Sequence, residues 1–293
     1  IGYGLKQIGW LKEEFVNGAN KINFKITLPA LLFQDIAGTA FTEVFDIKYV
    51  LYCAIVTSIC FWGIWGLSKI FMKSDEMRGA FVQASFRGSA AVLGSALMLN
   101  MYGNIGMIPL MIIGAVPLYN IYSVIVLTFE SNDGSSRTIG SAVKGIITNP
   151  IILAIVAGMA VSLSGITFPV IIDSTISSLA RMATPLALIA IGAGFEGKKA
   201  LQKRKPAMIA AVIKLVVQPL VFLPVALALG FTDEKLVALI IMLGAPTTPS
   251  CYIMAKNMGN DGVLTSSIVV LTTILSAFSI TGILFVLRSI GAI

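Results

Sequence analysis

Apolar runs of about 20 residues or more, separated by short islands of charge, fill the chain. A run of that length lets an α-helix cross about 30 Å of hydrocarbon. The pattern predicts nine membrane-spanning helices, at about 22–41, 48–71, 77–101, 105–129, 148–165, 168–195, 206–229, 234–256 and 262–287. Outer-membrane strands are excluded, because they would be shorter and would alternate polar and apolar residues. The polar links 73–76, 130–138 and 196–206 leave no room for a soluble domain, so residues 1–293 read as a single membrane domain.

Two runs break where a span should be most apolar. Residues 242–259, MLGAPTTPSCYIMAKNMG, meet Pro246, Thr247, Thr248, Pro249 and Ser250 halfway, and residues 87–95, RGSAAVLGS, interrupt an earlier span. In hydrocarbon every backbone N–H and C=O needs a partner, so irregular backbone is tolerated only where protein or a wet cavity satisfies it. Each break creates a half-helix N-terminus with free N–H groups, suited to an anion, and a C-terminus with free carbonyls. Pro246 and Pro249 withhold two N–H groups, and the hydroxyls of Ser89, Thr247, Thr248 and Ser250 offer replacement hydrogen bonds.

The breaks occupy matching places in an internal repeat. Asp233-Glu234 stands 158 residues after Asp75-Glu76, and Gly259 stands 156 after Gly103. Pro185, four residues after Arg181, stands 156 after Pro29, itself four residues after Lys25. Five spans per repeat is an odd number, so the second copy enters the membrane upside down. Residues 1–130 form the first repeat and 139–289 the second, inverted one. The counterpart of the 148–165 span falls before Lys21, and IGYGLKQIGW reads as its cytoplasmic end. The expected fold is an all-α polytopic membrane protein. It is a ten-helix inverted repeat (5+5) with two crossed broken helices at the midplane and the first helix largely absent from this chain.

Charge supplies the orientation. With the loops followed alternately, fourteen Lys and Arg residues collect on one side, while the other has only Lys48, Lys235 and Arg288. The rich side is cytoplasmic by the positive-inside rule, which puts the C-terminus outside a cell membrane. The net charge of +7 therefore reflects topology and not nucleic-acid binding. Composition agrees, at 57% hydrophobic and 12% charged against about 25% charged in soluble chains. There is no histidine, and neither HExxH nor GxSxG occurs, so the pattern predicts no enzyme, catalytic residue or cofactor. Cys53, Cys60 and Cys251 lack metal-type spacing and read as packing residues, with no metal site.

The segments SFRGSAAVLGSALMLNMYGNIG, PLYNIYSVIVLTFE, LPALLF, NPIILAIVAG and GAPTTPSCYIMAKNMG together resemble the auxin efflux carrier family, particularly bacterial members described as malate or malonate permeases. The resemblance covers essentially the whole chain. It implies crossed broken helices at the centre of two inverted repeats, a homodimer, and carriage of small organic carboxylates. Where many relatives carry Asn in the first crossover, this chain has Ser89.

The candidate substrate contacts are Arg87, Gly88, Ser89 and Ala90 at the first break, Pro246, Thr247, Thr248, Pro249 and Ser250 at the second, and Asn120 on the span between. An intramembrane charge costs at least a few kcal/mol, which makes Arg87 a functional candidate, either gripping a carboxylate or capping free carbonyls. Lys214, Arg181, Asp173 and Asp35 form the candidate charge network. Arg181 is expected to pair with Asp173 or Asp35, and Lys214 either does the work of a bound cation or serves as a structural partner. Proton-coupled, sodium-coupled and uncoupled transport all fit this pattern. The function expected is a secondary transporter working by alternating access. A sodium-coupled symporter of larger amphipathic anions and an anion channel are the alternatives.

Overall fold

The computed structural model describes residues 1–38, 46–72, 75–131 and 139–293, so Lys73, Arg137 and most of the links expected at 73–76 and 130–138 lie outside the described residues. All regular elements among the described residues are helices. After a short α1 (Gly2–Gln7), α2 (Glu13–Ile22) continues through a π turn (Asn23–Thr27) into α3 (Leu28–Ala37) without leaving helical backbone. The wider turn precedes Pro29, whose missing N–H would otherwise strand a carbonyl one turn back. The first expected span therefore begins nearer Glu13 than residue 22, with Glu13 and Glu14 favourably placed at a helix N-terminus.

There follow α4 (Ile47–Phe71), α5 (Asp75–Phe86), α6 (Ala90–Tyr102), α7 (Ile108–Phe129), α8 (Ile139–Ile147), α9 (Pro150–Ser164), α10 (Val170–Ala193) and α11 (Gly197–Gln202). The chain then runs through α12 (Arg204–Val212), a second π turn (Ile213–Val217) and α13 (Gln218–Ala228), again before a proline, Pro219. It closes with α14 (Asp233–Gly244), α15 (Ser250–Asn257) and α16 (Gly262–Ser289). Side chains cap several starts: Asp46 accepts from Tyr49 N at 3.0 Å, Asn149 from Ile151 N at 2.9 Å and Asp261 from Leu264 N at 3.0 Å. Among the described residues five helices are long and apolar enough to cross a membrane: α4, α7, α10, the joined α12–α13 and α16.

Both expected breaks are present, in narrower form. The first is confined to residues 87–89, because Ala90 to Ser95 are helical, and the second to residues 245–249. Every residue of α14 from Leu236 to Gly244 is buried, whereas α4 leaves Leu51, Ile55, Ile59 and Trp62 exposed and α16 leaves Phe278 and Phe285 exposed. A helix apolar on all sides belongs at the centre, and helices with one exposed apolar face belong in the ring that meets lipid. The second break thus lies inside protein, where its polar backbone can find partners.

Packing divides the helices into two groups. α1, α2–α3, α9 and α10 pack on one another, and α4 to α7 with α12 to α16 form the second group, in which α6, α7, α13 and α16 pack against α14. The two groups meet where α15 packs on α2 and α10 and where α7 packs on α3 and α9. This seam is bridged at one end by Asn257 Nδ2, which donates to Asn20 O at 3.2 Å.

Candidate functional site

The two breaks touch. Ser89 N donates to Pro246 O at 2.8 Å, a main-chain bond between the crossing points. Only a residue without a side chain allows this approach, since a Cβ on Gly88 would lie 2.8 Å from Ala245 O and 3.0 Å from Lys214 Cε. The groups released by the breaks find partners across the crossing. Thr247 Oγ1 donates to Ala84 O at 2.7 Å, and Gln218 Nε2 donates to Ser85 O at 2.7 Å, which satisfies the end of α5. Pro246 has no N–H to give Met242 O, four residues back. That carbonyl accepts instead from Tyr119 OH at 3.0 Å and Lys214 Nζ at 3.1 Å. Thr247 N donates to Thr272 Oγ1 at 3.1 Å.

Polarity is sorted about this crossing. The C-terminal ends of α14 and α5, with partial negative charge, meet Lys214 and its partner Gln218 respectively. On the other side the N-terminal ends of α6 and α15, with partial positive charge, border a cavity of about 70 Å³ at the seam between the two helix groups. Its lining includes Asp35, Arg87, Ser89, Asn120, Thr248 and Ser250.

Arg87 is 4% exposed and has no carboxylate among its hydrogen-bond partners in the described residues. Its Nη1 donates to Ser123 Oγ at 3.1 Å and to Met254 Sδ at 3.2 Å, and its Nη2 donates to Ser250 Oγ at 3.1 Å. A thioether is a weak acceptor, and Nε is buried without a partner among the described residues. Two of the five N–H bonds, Nε–H and one on Nη2, have no partner among the described residues. Asn120 is fully buried; its Nδ2 bonds its own helix at Val116 O, 2.9 Å away, and its Oδ1 has no partner among the described residues. The arrangement offers one buried cation and two helix N-termini to a small anion.

Seven of the ten expected contacts line this cavity: Arg87, Gly88, Ser89, Ala90, Asn120, Thr248 and Ser250. Thr247 does not, because its hydroxyl is turned to Ala84 O behind the crossing. Pro246 joins the crossing through its carbonyl, and Pro249 is the N-cap of α15. Arg87 does not cap free carbonyls, since its partners are side-chain oxygens and a sulfur. Of the charge network, Asp35 reaches the cavity and Lys214 the crossing. Arg181 and Asp173 are both exposed on α10, and among the ion pairs of the described residues Arg181 is joined to neither Asp173 nor Asp35. The spacing of those two on α10 turns them away from its buried alanine stripe, Ala180, Ala183, Ala187 and Ala190.

Sequence reasoning missed Gln218, Tyr119, Ser123, Met254 and Thr272. Gln218 carried a usable signal, being a polar residue one turn after Lys214 in an apolar span and next to Pro219. Thr272 carried none, since nothing in VLTTIL sets it apart from Thr273.

The two threonines are separable by experiment. Thr247→Val should lower thermal stability, because Ala84 O loses a buried partner at a cost of about 1–3 kcal/mol, while substrate affinity holds. Thr248→Val, which borders the cavity, should change affinity with little effect on stability. Identical behaviour of both variants in melting and binding would refute this division.

A family model described as membrane transport protein matches residues 1–284. The chain belongs to that family. This is where the resemblance to auxin efflux carriers had pointed. Among similar proteins of known name is the "Putative malonate transporter" of Rhizobium meliloti (strain 1021), 25% identical over 98% of this chain and 94% of that protein. An "Uncharacterized transporter" of Methanothermobacter thermautotrophicus is 21% identical over 96% and 92% of the two chains. The "Uncharacterized transporter YfdV" of Escherichia coli (strain K12) is 24% identical over 87% and 83%. Membership makes the chain a multi-pass membrane protein of a transport family, and the cavity beside the crossing lies at the contact of its two helix groups.

Proposed function

We propose that this protein is a secondary transporter of small organic carboxylates such as malonate or malate. The observation that carries the reading is the buried Arg87, with two donors to spare, at a small cavity where two half-helices begin. One carboxylate of the substrate meets the guanidinium edge, and the hydroxyls of Ser89, Thr248 and Ser250 and the amide of Asn120 hold the remainder. A cavity of about 70 Å³ suits a short carboxylate better than a larger amphipathic anion. Because the cavity lies at the seam, a rocking of one helix group against the other would expose it to each side in turn, which is alternating access. The protein is read as a ten-helix inverted repeat and a homodimer in the cell membrane with its C-terminus outside. The matched breaks and the one-sided Lys and Arg support the repeat and the orientation.

Uptake of labelled malonate and malate into proteoliposomes, with imposed proton and sodium gradients applied separately, tests the proposal. Saturable uptake at carrier rates is expected. Absence of uptake of any small carboxylate by folded protein overturns the proposal, and non-saturating current replaces it with an anion channel.

A further inference from the structure

Lys214 is fully buried within the π turn Ile213–Val217, and among the described residues its ammonium forms no ion pair. Its partners are two neutral oxygens, Met242 O at 3.1 Å and Gln218 Oε1 at 3.3 Å. Met242 O is available because Pro246 has no N–H, and Gln218 is itself anchored on Ser85 O. The side chain runs past Gly88, close enough that a Cβ there would lie 3.0 Å from Lys214 Cε. The C-terminal end of α14 therefore meets the ammonium through Met242 O, and that of α5 is linked to it through Gln218, each end carrying about half a negative charge.

Carbonyls freed at half-helix C-termini, together with amide and hydroxyl oxygens, are the ligands that bind a coupling sodium ion in carriers with broken helices. Here that position holds a side chain. We infer that Lys214 is a built-in cation occupying the carbonyl-lined place at the crossing where sodium would otherwise be coordinated, so that the transporter cycles without sodium. The inference rests on the carrier reading above for its consequence, although the occupancy itself is independent of substrate. Together with Gln218 the ammonium ties the two C-terminal ends in every stage of transport, which a dissociable ion would do only when bound. Removal of the charge and the chain together should open a site that sodium can enter.

The test begins with the melting temperature of the purified protein in sodium, potassium and choline chlorides, which needs no substrate. The wild type should melt at one temperature in all three. Lys214→Ala should melt lower in choline and recover in sodium. Lys214→Met, which fills the same space with a neutral chain, should melt lower without sodium recovery. In proteoliposomes the wild type should take up carboxylate equally in sodium and choline, and Lys214→Ala should be slower by about tenfold or more in choline and partly restored by sodium. Wild-type melting or uptake that rises with sodium overturns the inference, as does wild-type uptake by Lys214→Met. If neither variant folds, the wild-type sodium series decides. Failure of the carrier reading would look different: no uptake from any variant, with the melting series still in the order given.

Discussion

Arg87→Gln is expected to abolish carboxylate binding while leaving a folded, monodisperse protein. Truncating one partner of a buried, hydrogen-bonded charge pair costs about 2–5 kcal/mol or more, which is an affinity loss of about 30-fold at the least. The variant should not be destabilised in the absence of substrate. Arg87 is 4% exposed, with an unpartnered Nε and a sulfur among its acceptors, so the free protein holds a poorly compensated charge that glutamine removes. A glutamine amide could still donate to Ser123 or Ser250. Arg87→Lys should fall between, keeping the charge and losing the planar two-donor edge. Titration of labelled malonate onto detergent-purified protein, alongside thermal melts without ligand, checks both halves. Wild-type affinity in Arg87→Gln would remove the guanidinium from the site.

The second large effect is expected from Gly88→Ala, a change of a single methyl group. The new Cβ would stand 2.8 Å from Ala245 O, a main-chain atom that cannot swing aside, and 3.0 Å from Lys214 Cε, whose ammonium is held by two oxygens. Overpacking of this kind costs about 1–3 kcal/mol. The relief available is separation of the two breaks, which would stretch the bond from Ser89 N to Pro246 O. A lowered melting temperature together with loss of uptake is the expected result, in contrast to Arg87→Gln, where uptake is lost with stability intact. A Gly88→Ala protein with wild-type melting and uptake would mean that the close approach has no role.

The helical architecture was legible because a bilayer imposes length and saturation of backbone polar groups, and both leave marks in sequence. Expected spans at 48–71, 206–229 and 262–287 end within a few residues of the observed Ile47–Phe71, Arg204–Ala228 and Gly262–Ser289. The breaks were legible because proline and glycine are conspicuous in apolar runs. Direction was not. Thr247 and Thr248 are neighbours with the same chemistry, yet one hydroxyl closes α5 and the other borders the cavity. That division depends on φ and ψ at the break, which composition does not encode. Arg181 and Asp173 failed for a related reason. Intramembrane position by sequence count does not distinguish a buried face from an exposed one, and on α10 small alanines hold the buried face. Gln218 and Tyr119 each donate to carbonyls that prolines and breaks release elsewhere, so their role appears once the crossing is assembled.

The bond that joins the two breaks runs from main chain to main chain, Ser89 N to Pro246 O. A side-chain contact can be erased by one nucleotide change, but this link survives replacement of the side chain at its donor end. Ser89 can therefore be replaced by any residue but proline without breaking the junction, provided its neighbour stays small. The mutational burden of the junction falls on Gly88, which contributes no atom to the bond and decides whether the two chains can come close enough to form it.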